Sequence, residues 1–140
     1  MNNKFLRLTA VIVTASLVTF ASCKKKDDPK DPDPGPGVTL NIEKPTTSDM
    51  FGKDDTVFIK AHASWVNQFH GYELKLRNLS DGSKEVFKVE GHIHDKEVDI
   101  DTFWVNNVAA HSQMELEINM IKDHDGNKET KKVAFHCHPM

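Results

Sequence analysis

From Val38 to Cys137 the chain alternates apolar and polar residues in short runs and nowhere sustains the 3.6-residue apolar period of a helix. Side chains of an extended backbone alternate between two faces, so a period of two fits half-buried strands. Val38 to Ile42 alternates and is stopped by Pro45, which has no N–H for a ladder. Thr56 to Trp65 puts Val57, Ile59, Ala61, Ala63 and Trp65 on one face. His70 to Asn78 turns Tyr72, Leu74 and Leu76 against Glu73, Lys75 and Arg77. After the turn residues around Asp81-Gly82, Lys84 to Gly91 returns with Phe87 and Val89 on one side. Val98 and Ile100 come next, alternating with Glu97, Asp99 and Asp101; then Met114, Leu116, Ile118 and Met120; then Val133, Phe135 and Cys137. Seven short strands with regular turn signals predict an all-β sandwich. One helical turn fits between Thr102 and Ala110.

The alternating strands of Glu115 to Phe135, joined through Asp125-Gly126-Asn127, resemble the final hairpin of bacterial immunoglobulin-like domains. Residues 38–140 as a whole are similar to small immunoglobulin-like or fibronectin-III-like domains of bacterial surface lipoproteins, many of unknown function. The resemblance implies a seven-stranded antiparallel immunoglobulin-like β-sandwich. The chain departs from antibody domains in lacking their cysteine pair. Trp65, the candidate core tryptophan, falls at the end of the second strand instead of on the third.

Ahead of this domain the sequence reads as an address. Lys4 and Arg7 precede the apolar run Leu8 to Phe20, and small residues lead to Cys23, the three parts of a secretory signal. The run is shorter than the roughly 20 residues a membrane span needs. Phe20-Ala21-Ser22-Cys23 resembles the lipobox of bacterial lipoproteins, with Phe20 where leucine is usual. The resemblance implies a signal peptide over residues 1–22, lipidation of Cys23, and anchorage to the outer membrane on its periplasmic or surface-exposed face. More than one acyl chain makes such attachment stable. Cys137 is then left without a partner in the mature chain. Residues 23–37 follow with Lys24-Lys25-Lys26-Asp27-Asp28 and prolines at 29, 32, 34 and 36, a composition that buries nothing and reads as a stiff tether. The whole chain has 18 basic and 21 acidic residues, a formal charge of −3, without the basic clustering that nucleic acid requires.

The chemistry-bearing residues are the eight histidines, all at or after His62. His92 and His94 lie two apart and so share a face, as two ligands of one metal ion would. His136 and His138 repeat the spacing at the C-terminus. With strands lettered in an immunoglobulin-like order, His62, His70, His92, His94 and His124 collect at one pole, and His111, His136 and His138 at the other. The first pole offers Zn or Cu a centre of His70, His92, His94 and His124, with His62 or Asp95 as an alternative fourth ligand. Such a centre needs the nitrogens of three imidazoles within about 4–5 Å of a common point. The second pole offers His111, His136 and His138 as a further site, held less firmly if the terminus frays. Cys137 points away from His136 and His138.

The remaining polar residues invite plainer readings. Asp99 with Asp101, and Glu115 with Glu117, solvate an outer face, and Asp123-His124-Asp125-Gly126-Asn127 is a turn that lacks the EF-hand spacing. No serine sits in a Gly-x-Ser-x-Gly elbow and no glycine loop cradles phosphate, so no enzyme is expected. Two functions remain as expectations. One is a tethered module that binds Zn or Cu. The other is an accessory module whose protein or glycan partner meets Phe58, Trp104 or Phe69.

Overall fold

The computed structural model describes residues 37–139. The expected signal peptide, Cys23 and all but the last residue of the tether, along with Met140, lie outside the described residues. The alternating runs form β1 (Thr39–Lys44), β2 (Met50–Phe51), β3 (Thr56–Ser64), β4 (Gly71–Asn78), β5 (Lys84–His92), β6 (Glu97–Val105), β7 (Ser112–Ile121) and β8 (Lys128–Cys137). One sheet has the order β1-β3-β6 and the other β2-β8-β7-β4-β5. Every pairing is antiparallel except that of β2 with β8. This is an immunoglobulin-like β-sandwich. Among the described residues it has eight strands, where the pattern predicts seven. The addition is β2, whose two residues are too short to show a period.

The inward faces follow the alternation. Val57 and Ile59 of one sheet and Leu74, Leu76, Leu116 and Ile118 of the other are fully buried and belong to one apolar core. Burial of this kind is worth about 25 cal/mol per Å² of apolar surface removed from water. Two expectations fail. The helical turn proposed between Thr102 and Ala110 is absent, because β6 pairs with β3 without interruption from Glu97↔Ser64 to Val105↔Thr56. Trp104, 7 % exposed, is the buried tryptophan, while Trp65 is half-buried just past the end of β3 and packs on Phe69 with ring centres 5.7 Å apart.

The outer face of the larger sheet carries an ion network rather than a merely solvated stripe. Glu117 is almost fully buried between Arg77 and Lys132, each 2.9 Å from its Oε2, and Asn119 donates to its Oε1 at 3.0 Å. Asp99 and Asp101 do lie on an exposed face, paired with His62 and Lys60. No helix among the described residues is long and apolar enough to cross a membrane.

Candidate functional site

His70 stands at the entry to β4, and its main chain is tied on both sides. Its N–H donates to the Ile121 carbonyl at 2.8 Å, and its carbonyl accepts from Ile93 N–H at 3.4 Å. His92 is the last residue of β5 and pairs with Gly71. His94 follows two residues on. His124 lies in the β7–β8 turn, which Asp123 organises: Oδ1 accepts from the N–H of Asp125 and Asn127 at 3.0 Å each, and Oδ2 from the Asn127 amide at 2.7 Å. These bonds, led by that from the Asn127 side chain, hold the Asp123 carboxyl below the usual carboxylate range. The segment is the turn that the sequence suggests, and it delivers His124 to the tips of β4 and β5.

Four imidazoles meet there. The His70 ring centre lies 4.3 Å from that of His124 and 5.4 Å from that of His94, and His92 lies 4.7 Å from His94. Two imidazoles bound to one tetrahedral ion at about 2.0–2.1 Å have ring centres roughly 5 Å apart. The spacing is therefore that of a ligand set. The donor atoms are not: among the described residues no three His, Cys, Asp or Glu side chains are arranged to hold a metal as they stand. The rings meet edge to face, and an ion shared by three of them requires rotation about χ1 and χ2. His92, His94 and His124 are exposed and free to turn. The Nδ1 of His70 is buried and, among the described residues, has no hydrogen-bond partner. Beside the cluster runs an open groove of about 480 Å³, into which His70, His92, Tyr72 and Lys128 project.

His62 does not join this group. It sits on the outer face of the smaller sheet with Nδ1 2.8 Å from Asp99 Oδ1, a bond that raises its pKa. It lies towards the end of β3, as expected, but on a face turned away from the other four. Asp95 offers its carbonyl to Phe69 N–H at 2.9 Å and leaves its carboxylate exposed.

At the opposite pole the other three histidines also meet. His111 lies 4.3 Å from His138 and 5.7 Å from His136 between ring centres. As far as His138 the strand end is tied down. The end of β8 is held by β2, with His136 N–H donating to Asp49 O at 3.3 Å and His138 N–H to Phe51 O at 2.8 Å. The buried Asn106 amide also bonds His138 O at 3.1 Å and Gly52 O at 2.7 Å. Cys137 faces the core as expected; it is buried, free among the described residues, and its thiol is pushed up to about 11, first by burial.

Two features of the site escape sequence reasoning. A Cβ at Gly71 would lie 2.8 Å from the Gly91 carbonyl oxygen, and one at Gly91 would clash with the edge of the Tyr72 ring. The glycines next to His70 and His92 thus let β4 and β5 close up where the histidines meet. The His-Gly and Gly-His dipeptides were the visible signal.

No protein-family model matches the chain, and no curated protein matches it. Among solved structures it is similar to the fibronectin(III)-like modules of CbhA from Clostridium thermocellum, at 11% identity over 73% of this chain and 98% of that one, with a TM-score of 0.49. It is also similar to the CARDB domain of a Pyrococcus furiosus protein in complex with di-metal ions, at 12% identity over 74% and 94% of the two chains, with a TM-score of 0.42.

Proposed function

We propose that the chain is an envelope lipoprotein, anchored through Cys23 and tethered by the proline-rich stretch behind it, whose sandwich binds Zn²⁺ or Cu²⁺ at His70, His92, His94 and His124. The observation that carries this reading is the meeting of four imidazoles, from three separate stretches of chain, at successive ring spacings of 4.3 to 5.4 Å, one of them with a buried nitrogen that has no hydrogen-bond partner among the described residues. Imidazole suits both metals, and neither requires a thiolate. Binding alone is proposed, in the service of buffering, delivery or sensing. Titration calorimetry of the untagged full chain in non-ionic detergent tests it. Sub-micromolar binding is expected, with the stoichiometry falling by one ion in the His92→Ala/His94→Ala variant. An unchanged stoichiometry, or no sub-micromolar binding, rejects the site. Labelling with radioactive palmitate checks the anchor, and its persistence in Cys23→Ser rejects that half of the proposal.

A second reading rests on an apolar patch on the smaller sheet. Phe58 and Phe103 are cross-strand partners, 54% and 58% exposed, with Val105 of β6 also open to solvent. Trp104 and Phe69, suggested by sequence as contact residues, are in the core and are not available. The patch fits a protein or glycan partner at the envelope. Under this reading the Phe58→Ser/Phe103→Ser variant loses binding to an envelope-glycan array at least tenfold while its melting temperature stays put. Equal binding by the two proteins excludes a glycan at this face.

A further inference from the structure

We infer that His111, His136 and His138 form a second, separate site for a divalent transition metal, at the pole opposite the four-histidine cluster. The three come from two stretches that strand register brings together. Ser112 pairs with Cys137 across the β7–β8 ladder, so the residue before Ser112 falls beside the residue after Cys137. That placement sets the His111 and His138 rings 4.3 Å apart. His136 and His138 share the outward face because Phe135 and Cys137 take the inward one.

The backbone around the site is tied down before any ion arrives. The buried Ser112 hydroxyl donates to Ala110 O at 2.9 Å and accepts from the Asn78 amide at 3.0 Å, which fences His111 on both sides. Asn106 and β2 fix the strand end that carries His136 and His138. The Nδ1 of His136, like that of His70, is buried and has no hydrogen-bond partner among the described residues. A buried ring nitrogen without a partner costs free energy unless something accepts its lone pair. A metal ion does so, once the exposed His111 ring and the half-exposed His138 ring turn towards it.

The donor set states the ligand class. Among the described residues, three imidazoles with Cys137 turned into the core make a nitrogen site without sulfur, which suits Zn²⁺ or Cu²⁺ better than Cu⁺. Three protein ligands leave one position of a tetrahedral ion open.

The untagged full chain in detergent, carrying His92→Ala and His94→Ala, is titrated with Zn²⁺ and then with Cu²⁺. One ion should bind, and Cu²⁺ should broaden the amide resonances of Ala110 to Gln113 and Ala134 to His138 ahead of all others. His136→Gln and His111→Asn should each weaken Zn²⁺ binding at least tenfold while leaving the metal-free melting temperature unchanged. No binding in this background, broadening centred elsewhere, or full affinity in His136→Gln overturns the site. The two sites are told apart by stoichiometry. One ion in both the parent chain and the double variant supports this site and rejects the first; one ion in the parent and none in the double variant does the reverse.

Discussion

Replacing Gly71 with valine should destabilise the sandwich by about 2–3 kcal/mol, the upper end of the usual cost of overpacking. A Cβ there meets the Gly91 carbonyl oxygen at 2.8 Å and Ile121 Cδ1 at 3.5 Å. The first of these is backbone, held in the β4–β5 ladder by the pairs Gly71↔His92 and Tyr72↔Gly91, so it yields only if the strands part. For a domain of about 100 residues the melting temperature should fall by roughly 10–20 °C. Gly91→Ala should cost less. Its clash is with the half-buried Tyr72 ring, which can swing aside. Gly37→Ala is the control, since no described residue lies within 4 Å of its added Cβ. Thermal unfolding of the three variants decides the matter: a Gly71→Val melt within two or three degrees of the parent would show that the ladder has slack there. Metal affinity at the proposed first site should drop with stability in Gly71→Val, because the strands that part bring His70 and His92 together.

Acid should unfold the domain through Glu117. Its carboxyl is lowered to about 2, first by the hydrogen bond from Arg77 and then by those from Asn119 and Lys132, against a burial that pushes the other way. A carboxylate whose pKa is depressed by folding contributes stability above its unfolded value near 4.5 and loses it as the pH falls towards 2. The shift is worth about 3 kcal/mol on the scale of 1.36 kcal/mol per pH unit. Urea unfolding from pH 7 to pH 2 should therefore show a steep loss of stability below about pH 4.5. Glu117→Gln should flatten that loss and start from a less stable protein at pH 7. Glu73, Asp49 and Asp123 are also lowered, so a residual slope remains in the variant. An identical slope in Glu117→Gln and parent would remove Glu117 from the account.

Much of the fold is legible in the chain. The inward faces of β3, β4, β6, β7 and β8 are those the alternation picks out, because the two-residue geometry of a strand decides which side chains face the core. The failures are of another kind. Whether Thr102 to Val105 coils or extends depends on the partner strand, and β3 supplies partners as far as Thr56. Glu117 alternates with core residues like any solvated acid; only the cross-strand neighbours Lys75 and Lys132, with Arg77 on the next row, show that it lies at the centre of a charged sheet face.

The histidines divide along the same line. Spacing alone puts His92 beside His94 and His136 with His138, since residues two apart on an extended chain share a face. A pole can be guessed from strand order, and seven of the eight histidines lie in the groups so assigned; His62 is the exception, on the face of the other sheet beside Asp99. The sequence by itself determined an all-β chain, its core faces and the local histidine pairs, because these follow from backbone periodicity. Only the tertiary structure decided that His70 reaches both His94 and His124, that Asn106 secures the C-terminal pair, and that two glycines let the first cluster close. Those are matters of register and packing between segments far apart in the chain, and no local pattern carries them.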